Sequence, residues 1–287
     1  MKTERNILIA FILNLGFSLF EILGGMITGS VAILSDALHD MGDAMTIGIS
    51  YILEKKSKKK ANDVYTYGYV RYSVMGSLVT TIVLIVGSIL ITISAIHRIF
   101  NPIIIKYNGM IFIAIIGVVI NFLAAYITKD GHSLNQKSVN LHMLEDVLGW
   151  IVVLIGAVVM KFTDITIIDP LMSIGVAIFI LYNAFINFKE IIDLFLEKAP
   201  KGMEKKKIKR ALLKIDGVYD VHHIHLWSLD GSKNYATLHI KTNRKFSEMK
   251  KIIKKELKNL GIVHSTLEFE EIDEPCPDEL FKEIERK

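Results

Sequence analysis

The residues best suited to bind a metal form two identical patterns, each a histidine followed four positions later by an aspartate. They are His39 with Asp43 and His142 with Asp146. On a helix, a spacing of four places both side chains on one face, about one turn apart. Two such faces that met would present two imidazoles and two carboxylates, a ligand set suited to tetrahedral Zn²⁺. The sequence therefore predicts one zinc site shared by two helices.

Both patterns lie inside long apolar segments, which fill roughly the first two thirds of a 287-residue chain that is 51% hydrophobic. A membrane-spanning helix needs about 20 mostly apolar residues. The candidate spans are roughly 7–28, 31–53, 73–97, 108–128, 139–162 and 165–188. We therefore predict an α-helical membrane domain of six transmembrane helices over residues 1–199, embedded in a lipid bilayer. The first segment exceeds the apolar region of a signal peptide, about 7–15 residues, and we expect it to be retained.

Ionisable groups inside a bilayer are expensive, and they usually face a partner or a water-filled cavity. A single buried histidine could be structural, but two identical pairs on separate spans favour a functional site. Three neighbouring acids, Asp36, Asp40 and Glu145, could support the site, face a loop or carry protons. Hydrogen bonds between helices are the simplest interpretation of the remaining polar groups in spans, Asn14, Glu21 and Asp169.

The flanking cations predict the orientation. Lysines and arginines concentrate before the first span, in 55–60 and in 129–137. Because cytosolic loops carry the excess of Lys and Arg, both termini should be cytosolic. The lysine run is most simply a solvated loop that sets topology, and lipid sensing is the alternative.

The composition changes near Pro200, where a small domain over 200–287 begins. Helix-like Lys201–Leu213 precedes strand-like Tyr219–Leu229 and Asn234–Thr242, followed by a second helical pattern and a strand over His264–Ile272. The order αββαβ predicts an α+β, ferredoxin-like layer. Its core is thin, so we expect a homodimer to stabilise it.

Several classes of protein are excluded. One cysteine allows no internal disulfide and no cysteine-based zinc knuckle, and Cys276 is interpreted as an inert surface thiol. The mild net charge of +4 gives no reason to expect a nucleic-acid partner. A membrane metalloprotease would need a His-Glu-x-x-His helix with an open metal position. The sequence lacks this motif, and we predict that the chain is not an enzyme. We also expect no organic cofactor.

The whole chain resembles the cation diffusion facilitators, a family that includes bacterial zinc exporters and vesicular zinc transporters. The paired His-x-x-x-Asp resembles the zinc-preferring branch of that family. The positions that carry the resemblance are Asn14, Phe17, Glu21, Gly25, Ser30, Leu34–Ala37, the two His-x-x-x-Asp pairs, Asp169-Pro170 and His225–Leu229. The resemblance implies six spans, a cytosolic ferredoxin-like domain, a homodimer and metal/proton antiport. One departure is Ser73, where the family often has Glu before the third span.

The residues suggest a mechanism of their own. Zinc needs neutral imidazoles and ionised carboxylates, so protons compete with zinc for the same atoms. A site that opened alternately to each side would exchange zinc for protons. The alternatives are export of Cd²⁺, Co²⁺, Ni²⁺ or Fe²⁺, or a membrane-anchored metal sensor that transports nothing. The short loops favour a bacterial plasma membrane over an organelle.

A second metal site is expected in the cytosolic domain. His222 and His239 flank one predicted hairpin, while His264 and Glu271 bracket the third strand. The family resemblance points to the same four positions. Zinc bound there would be a regulatory ligand, and the alternative is that these are ordinary polar strand residues.

Overall fold

The computed structural model describes residues 2–28, 31–101, 107–130, 133–163 and 167–276. The chain separates into two compact units, Met1–Ile191 and Ile192–Lys287.

The first unit is built from six long helices. They are α1 (Lys2–Thr28), α2 (Val31–Ser57), α3 (Arg71–Phe100), α4 (Tyr107–Thr128), α5 (Leu134–Thr163) and α6 (Ile168–Phe195). By length and composition, five of the helices in the described residues could cross a membrane. The exception is α2, which is as long as α1, at 27 residues, but carries three aspartates, one glutamate and two lysines. The predicted helical membrane domain is confirmed.

The helices pack through small and polar faces and leave large apolar side chains outside. Within the described residues, α1 packs mainly on α2 and α4, α4 on α5, and α3 on α2 and α5. Ile52, Ile93, Phe122 and Ile178 each expose more than half of their surface. Exposed apolar surface of this extent is costly in water and suits the hydrocarbon core of a bilayer.

In its described residues, the second unit contains a three-stranded sheet and two helices, which together enclose one hydrophobic core. Its elements are α7 (Lys205–Leu212), β1 (Val218–Ser228), β2 (Asn234–Thr242), α8 (Phe246–Asn259) and β3 (Ile262–Glu270). The strand order is β1-β2-β3, with β1 and β2 antiparallel and β2 and β3 parallel. The predicted αββαβ order is confirmed, and β3 lies two residues earlier than predicted.

The core of this unit is formed by its own residues. Met249, Ile253 and Leu257 of α8 are buried at helical spacing, and Leu238 and Ile240 of β2 are buried at strand spacing. The two periodicities bring one stripe of the helix onto one face of the sheet. This closed core gives the unit the means to fold independently.

Candidate metal centres

The first candidate centre lies between α2 and α5. Asp43, His142 and Asp146 each offer a ligand atom, and these atoms lie within 4.8 Å of one another. The Nε2 of His142 is 3.4 Å from Oδ1 of Asp43. His142 is 2% exposed and Asp43 is 6% exposed. Three of the four residues predicted from the sequence are therefore gathered as expected from their helical spacing.

The fourth predicted ligand, His39, has its side chain outside the described part of the chain. The backbone of α2 is nevertheless helical from Val31 to Ser57. His39 and Asp43 thus occupy positions one turn apart on the same helix face.

The geometry of His142 suits metal binding. Neither ring nitrogen makes a hydrogen bond to a described residue. Its Nε2 faces Asp43, and its Nδ1 is 3.9 Å from Oε2 of Glu145. A histidine that binds a metal through one nitrogen usually directs the other toward a carboxylate or carbonyl oxygen. Glu145, whose role the sequence left undecided, thus lies beside the second nitrogen.

A cavity of about 220 Å³ adjoins this centre. Four acids contribute to its wall, Asp40, Asp43, Glu145 and Asp146. Carboxylates so close together in apolar surroundings repel one another, and a divalent cation or bound protons relieve that repulsion. The arrangement can therefore hold either a cation or protons.

The cavity lies toward one end of the helices. Its remaining lining comes from the middle and C-terminal half of α3, such as Gly87 and Ile91, and from the N-terminal part of α6, such as Ser173 and Val176. Since α3 and α6 run in opposite directions, these residues mark the same end of the helix bundle. The candidate metal centre lies at the inner end of this cavity.

On the other side of the centre, hydrogen bonds join α2, α3, α5 and α6. We call this group the polar seal; its residues are Ser50, Glu54, Ser73, Ser77, Thr80, Thr81, Asn135, Ser138 and Asn187. Ser73 donates to Oε2 of Glu54 at 2.5 Å, and Ser77 and Ser138 are 2.5 Å apart. The amide of Asn187 donates to Thr81 and Ser138, each at 2.7 Å. All of these side chains are buried.

The second candidate centre belongs to the Ile192–Lys287 unit and involves one face of the sheet. His222, His239, Glu270 and Cys276 offer atoms that lie within 4.8 Å of one another. His222 and His239 are directly opposite in the β1–β2 pair. We call these four residues the sheet cluster. Two imidazoles, a carboxylate and a thiol form a ligand set suited to Zn²⁺.

Glu270 holds the sheet cluster together. Its Oε1 is 2.8 Å from Nδ1 of His239, and its Oε2 is 3.2 Å from Nε2 of His222. The Sγ of Cys276 is 3.7 Å from Nδ1 of His239. His239, Glu270 and Cys276 are each at most 5% exposed. The interpretation of Cys276 as a surface thiol is therefore wrong, because the chain beyond β3 turns back and buries it.

The backbone of β1 is irregular at the sheet cluster. The register shifts between His222 and His225, and His223 has φ of +50°. A bulge with a left-handed residue bends a strand and re-aims its side chains. The His223 ring consequently lies with its centroid 4.7 Å from that of His239.

Asp220 adds a carboxylate beside the cluster, with Oδ2 3.1 Å from Nδ1 of His222. Burial alone would raise the pKa of Asp220. The hydrogen bond and charge of Lys209 outweigh it and hold that pKa below its ordinary value. Asp220 is therefore ionised at neutral pH.

Two residues predicted for this site, His264 and Glu271, are not brought into the cluster. His264 pairs with Tyr235, four positions along β2 from His239, which corresponds to about 13 Å at 3.3 Å per residue. Glu271 follows the last residue of β3, and the side chain that reaches the histidines is that of Glu270. Strand alternation could have identified Glu270 instead of Glu271. Glu268 pairs with His239, and Glu270, two positions further along β3, lies on the same face of the sheet as Glu268.

Comparisons with known proteins agree with both parts of the chain. Residues 7–196 match the cation efflux transmembrane domain, and residues 200–264 match the cytoplasmic domain of cation efflux proteins. The chain is 33% identical to the "Cadmium, cobalt and zinc/H(+)-K(+) antiporter" of Bacillus subtilis, over 93% of this chain and 89% of that protein. It is 32% identical to the zinc transporter ZitB of Escherichia coli, over 83% and 77% respectively. It is 28% identical to the metal cation efflux system protein CzcD of Cupriavidus metallidurans, over 93% and 86%.

Proposed function

This chain belongs to the cation diffusion facilitator family, in its zinc-related branch, and on that premise we propose that it exports Zn²⁺ from the cytosol in exchange for protons. It is an integral membrane cation efflux transporter, and its family is one of transporters and not of enzymes. The proposal concerns the ion, the coupled proton and the residues that bind both.

The observation that carries the proposal is the meeting of Asp43, His142 and Asp146 from two helices. We propose His39, one turn from Asp43 on α2, as the fourth ligand. Two imidazole nitrogens and two carboxylate oxygens satisfy the tetrahedral preference of Zn²⁺.

Proton exchange follows from the same atoms. Zinc binds a neutral imidazole and ionised carboxylates, so arriving protons and zinc exclude each other. The four acids around the cavity and the imidazole of His142 titrate as one cluster, because each charge changes the energy of the others. Protonation from the cavity side would release zinc, and loss of those protons on the opposite side would restore the site.

The cavity and the polar seal favour an assignment of sides. We propose that the seal faces the cytosol. The lysine-rich segment 55–60 connects the C-terminal end of α2 to the N-terminal end of α3, which is where the seal lies, and loops rich in lysine and arginine stay in the cytosol. The conformation then has its site open to the outside, and zinc from the cytosol would enter when the seal parts. We propose a bacterial plasma membrane as its location.

The test uses the full chain in sealed proteoliposomes that contain a pH-sensitive dye. A zinc gradient should drive proton flux in the opposite direction, and Asp146→Ala should abolish both fluxes. Repeating the assay with Cd²⁺, Co²⁺, Ni²⁺, Fe²⁺ and Mn²⁺ orders the ions. Zinc flux without proton movement would refute the antiport, and unimpaired transport by Asp146→Ala would refute the site. Absence of any metal flux would favour a sensor.

We further propose that residues 200–287 form a homodimeric regulatory domain whose zinc is bound by the sheet cluster. The match to the cytoplasmic domain of cation efflux proteins supports dimerisation. A fragment from Pro200 onward should run as a dimer in analytical ultracentrifugation. A strictly monomeric fragment at high concentration would contradict this assignment.

A further inference from the structure

One hydrogen bond links α1 to the membrane metal centre. The Nδ2 of Asn14 donates to Oδ2 of Asp146 at 3.3 Å. Asn14 is 2% exposed, and its Oδ1 makes no hydrogen bond to a described residue. The amide is therefore deep in the bundle and uses its donor on a carboxylate that belongs to the site.

That donor limits how Asp146 can bind a cation. A carboxylate has two oxygens. An N–H that donates to one of them makes that oxygen less available to the metal and orients the other oxygen. Asp43, His142 and Asp146 each offer one ligand atom within 4.8 Å of the others, so Asp146 needs only one of its oxygens to reach the site. The hydrogen bond thus favours single-oxygen binding by Asp146, the mode that fits four-coordinate Zn²⁺. A larger ion such as Cd²⁺ accepts more oxygens and gains from a carboxylate that is free to use both.

We propose that Asn14 is a positioning residue that sets metal selectivity, by holding Asp146 in its single-oxygen mode and thereby favouring zinc over cadmium. The inference rests on the proposed transport site. Asn14 is separated from Asp146 by 132 positions in the chain, and the first span contributes through this contact without binding the ion itself.

Asn121 supplies a matched control. It is a buried asparagine of α4, 1% exposed, whose amide donates to the carbonyl of Gly117 in the same helix at 3.1 Å. Replacing it by leucine removes a buried amide from the bundle without touching Asp146.

The experiment measures initial transport rates of Zn²⁺ and Cd²⁺ by the full chain in proteoliposomes. Asn14→Leu should raise the KM for zinc about 10–100-fold, the usual effect of losing a group that orients a ligand. The KM for cadmium should change less, so the ratio of zinc to cadmium kcat/KM should fall at least about fivefold. Asn121→Leu should leave that ratio at the wild-type value.

Equal losses for both ions in Asn14→Leu, or an unchanged ratio, would overturn the proposal. If Asn14→Leu does not assemble, Asn14→Ala removes the donor without added bulk. Calorimetry with detergent-purified protein then gives the dissociation constants of both ions, whose ratio should shift in the same direction. Asp146→Ala is measured alongside. Wild-type transport by that variant would refute the site itself, whereas its loss together with an unchanged ratio in Asn14→Leu refutes only the positioning role.

Discussion

Zinc should raise the melting temperature of the cytosolic fragment, and Glu270→Gln should remove most of that increase while Glu271→Gln leaves it intact. The two substitutions are chemically identical and one position apart. Glu270 contacts both histidines of the sheet cluster, at 2.8 and 3.2 Å. Glu271 is exposed beyond the end of β3. The pair therefore isolates the contribution of one carboxylate from any general effect of charge.

The size of the effect follows from mass action. Free zinc at 100 times its dissociation constant stabilises the folded domain by about 2.7 kcal/mol. A domain of this size shifts its melting temperature by about 4–8 °C per kcal/mol, so the increase should be roughly 10–20 °C. Glu270 is the cluster's only carboxylate, so its loss should weaken binding at least about 100-fold, beyond the range for outer-shell groups. At the same zinc concentration only about 0.4 kcal/mol remains, or roughly 2–3 °C.

The assay is scanning calorimetry of the fragment from Pro200 onward, with zinc buffered at a fixed free concentration and with a chelator. His239→Ala should behave like Glu270→Gln, and His264→Ala should behave like the wild type. If His264→Ala or Glu271→Gln lost the zinc-dependent increase while Glu270→Gln kept it, the four-residue cluster within one protomer would be refuted.

Two further predictions concern packing and pH. Gly117→Ala would place its Cβ 2.5 Å from the indole of Trp150, which lines the cavity, so the ring must move. This variant should lose about 1–3 kcal/mol in thermal stability and should transport zinc more slowly. The control is Gly16→Ala, which has nothing within 4 Å of its Cβ and should match the wild type. Because the pKa of Asp220 is lowered in the folded domain, its ion pair with Lys209 stabilises at neutral pH and loses that effect as pH falls through the folded pKa. Lys209→Met should therefore be less stable than the wild-type fragment by about 0.5 kcal/mol at pH 7 in urea unfolding, and the two curves should converge in acid; a difference that is the same at both pH values would contradict the pairing.

Patterns local in sequence predicted much of this molecule. The spacing of four in each His-x-x-x-Asp pair is a property of one helix turn, so it could be read before the structure was known. The two predicted strands likewise indicated that His222 and His239, which flank one hairpin, could come together, and the register pairs them directly. These features depend on backbone geometry within one or two neighbouring elements.

Contacts between segments that are distant in the chain could not be predicted from sequence patterns. No spacing rule connects Asn14 to Asp146, and nothing in the Pro-Cys-Pro segment indicated that Cys276 would be buried beside His239. The sequence alone showed that Ser73 departs from the pattern of the family that the chain resembles. The structure adds that Ser73 donates to the carboxylate of Glu54, from the preceding helix. That pairing depends on how α2 and α3 pack.

The composition of the polar seal bears on how fast the transporter can change state. A barrier made of large apolar side chains would expose hydrocarbon to water whenever it parted, at about 25 cal/mol for each Å². In the seal, hydroxyls and amides such as those of Ser77, Ser138 and Asn187 bind one another. Each can exchange its partner for water with a net change of only about 0.5–1.5 kcal/mol. Water that entered the seal would thus compete directly with the contacts that keep the helices together, so parting the helices here costs less free energy than parting an apolar barrier.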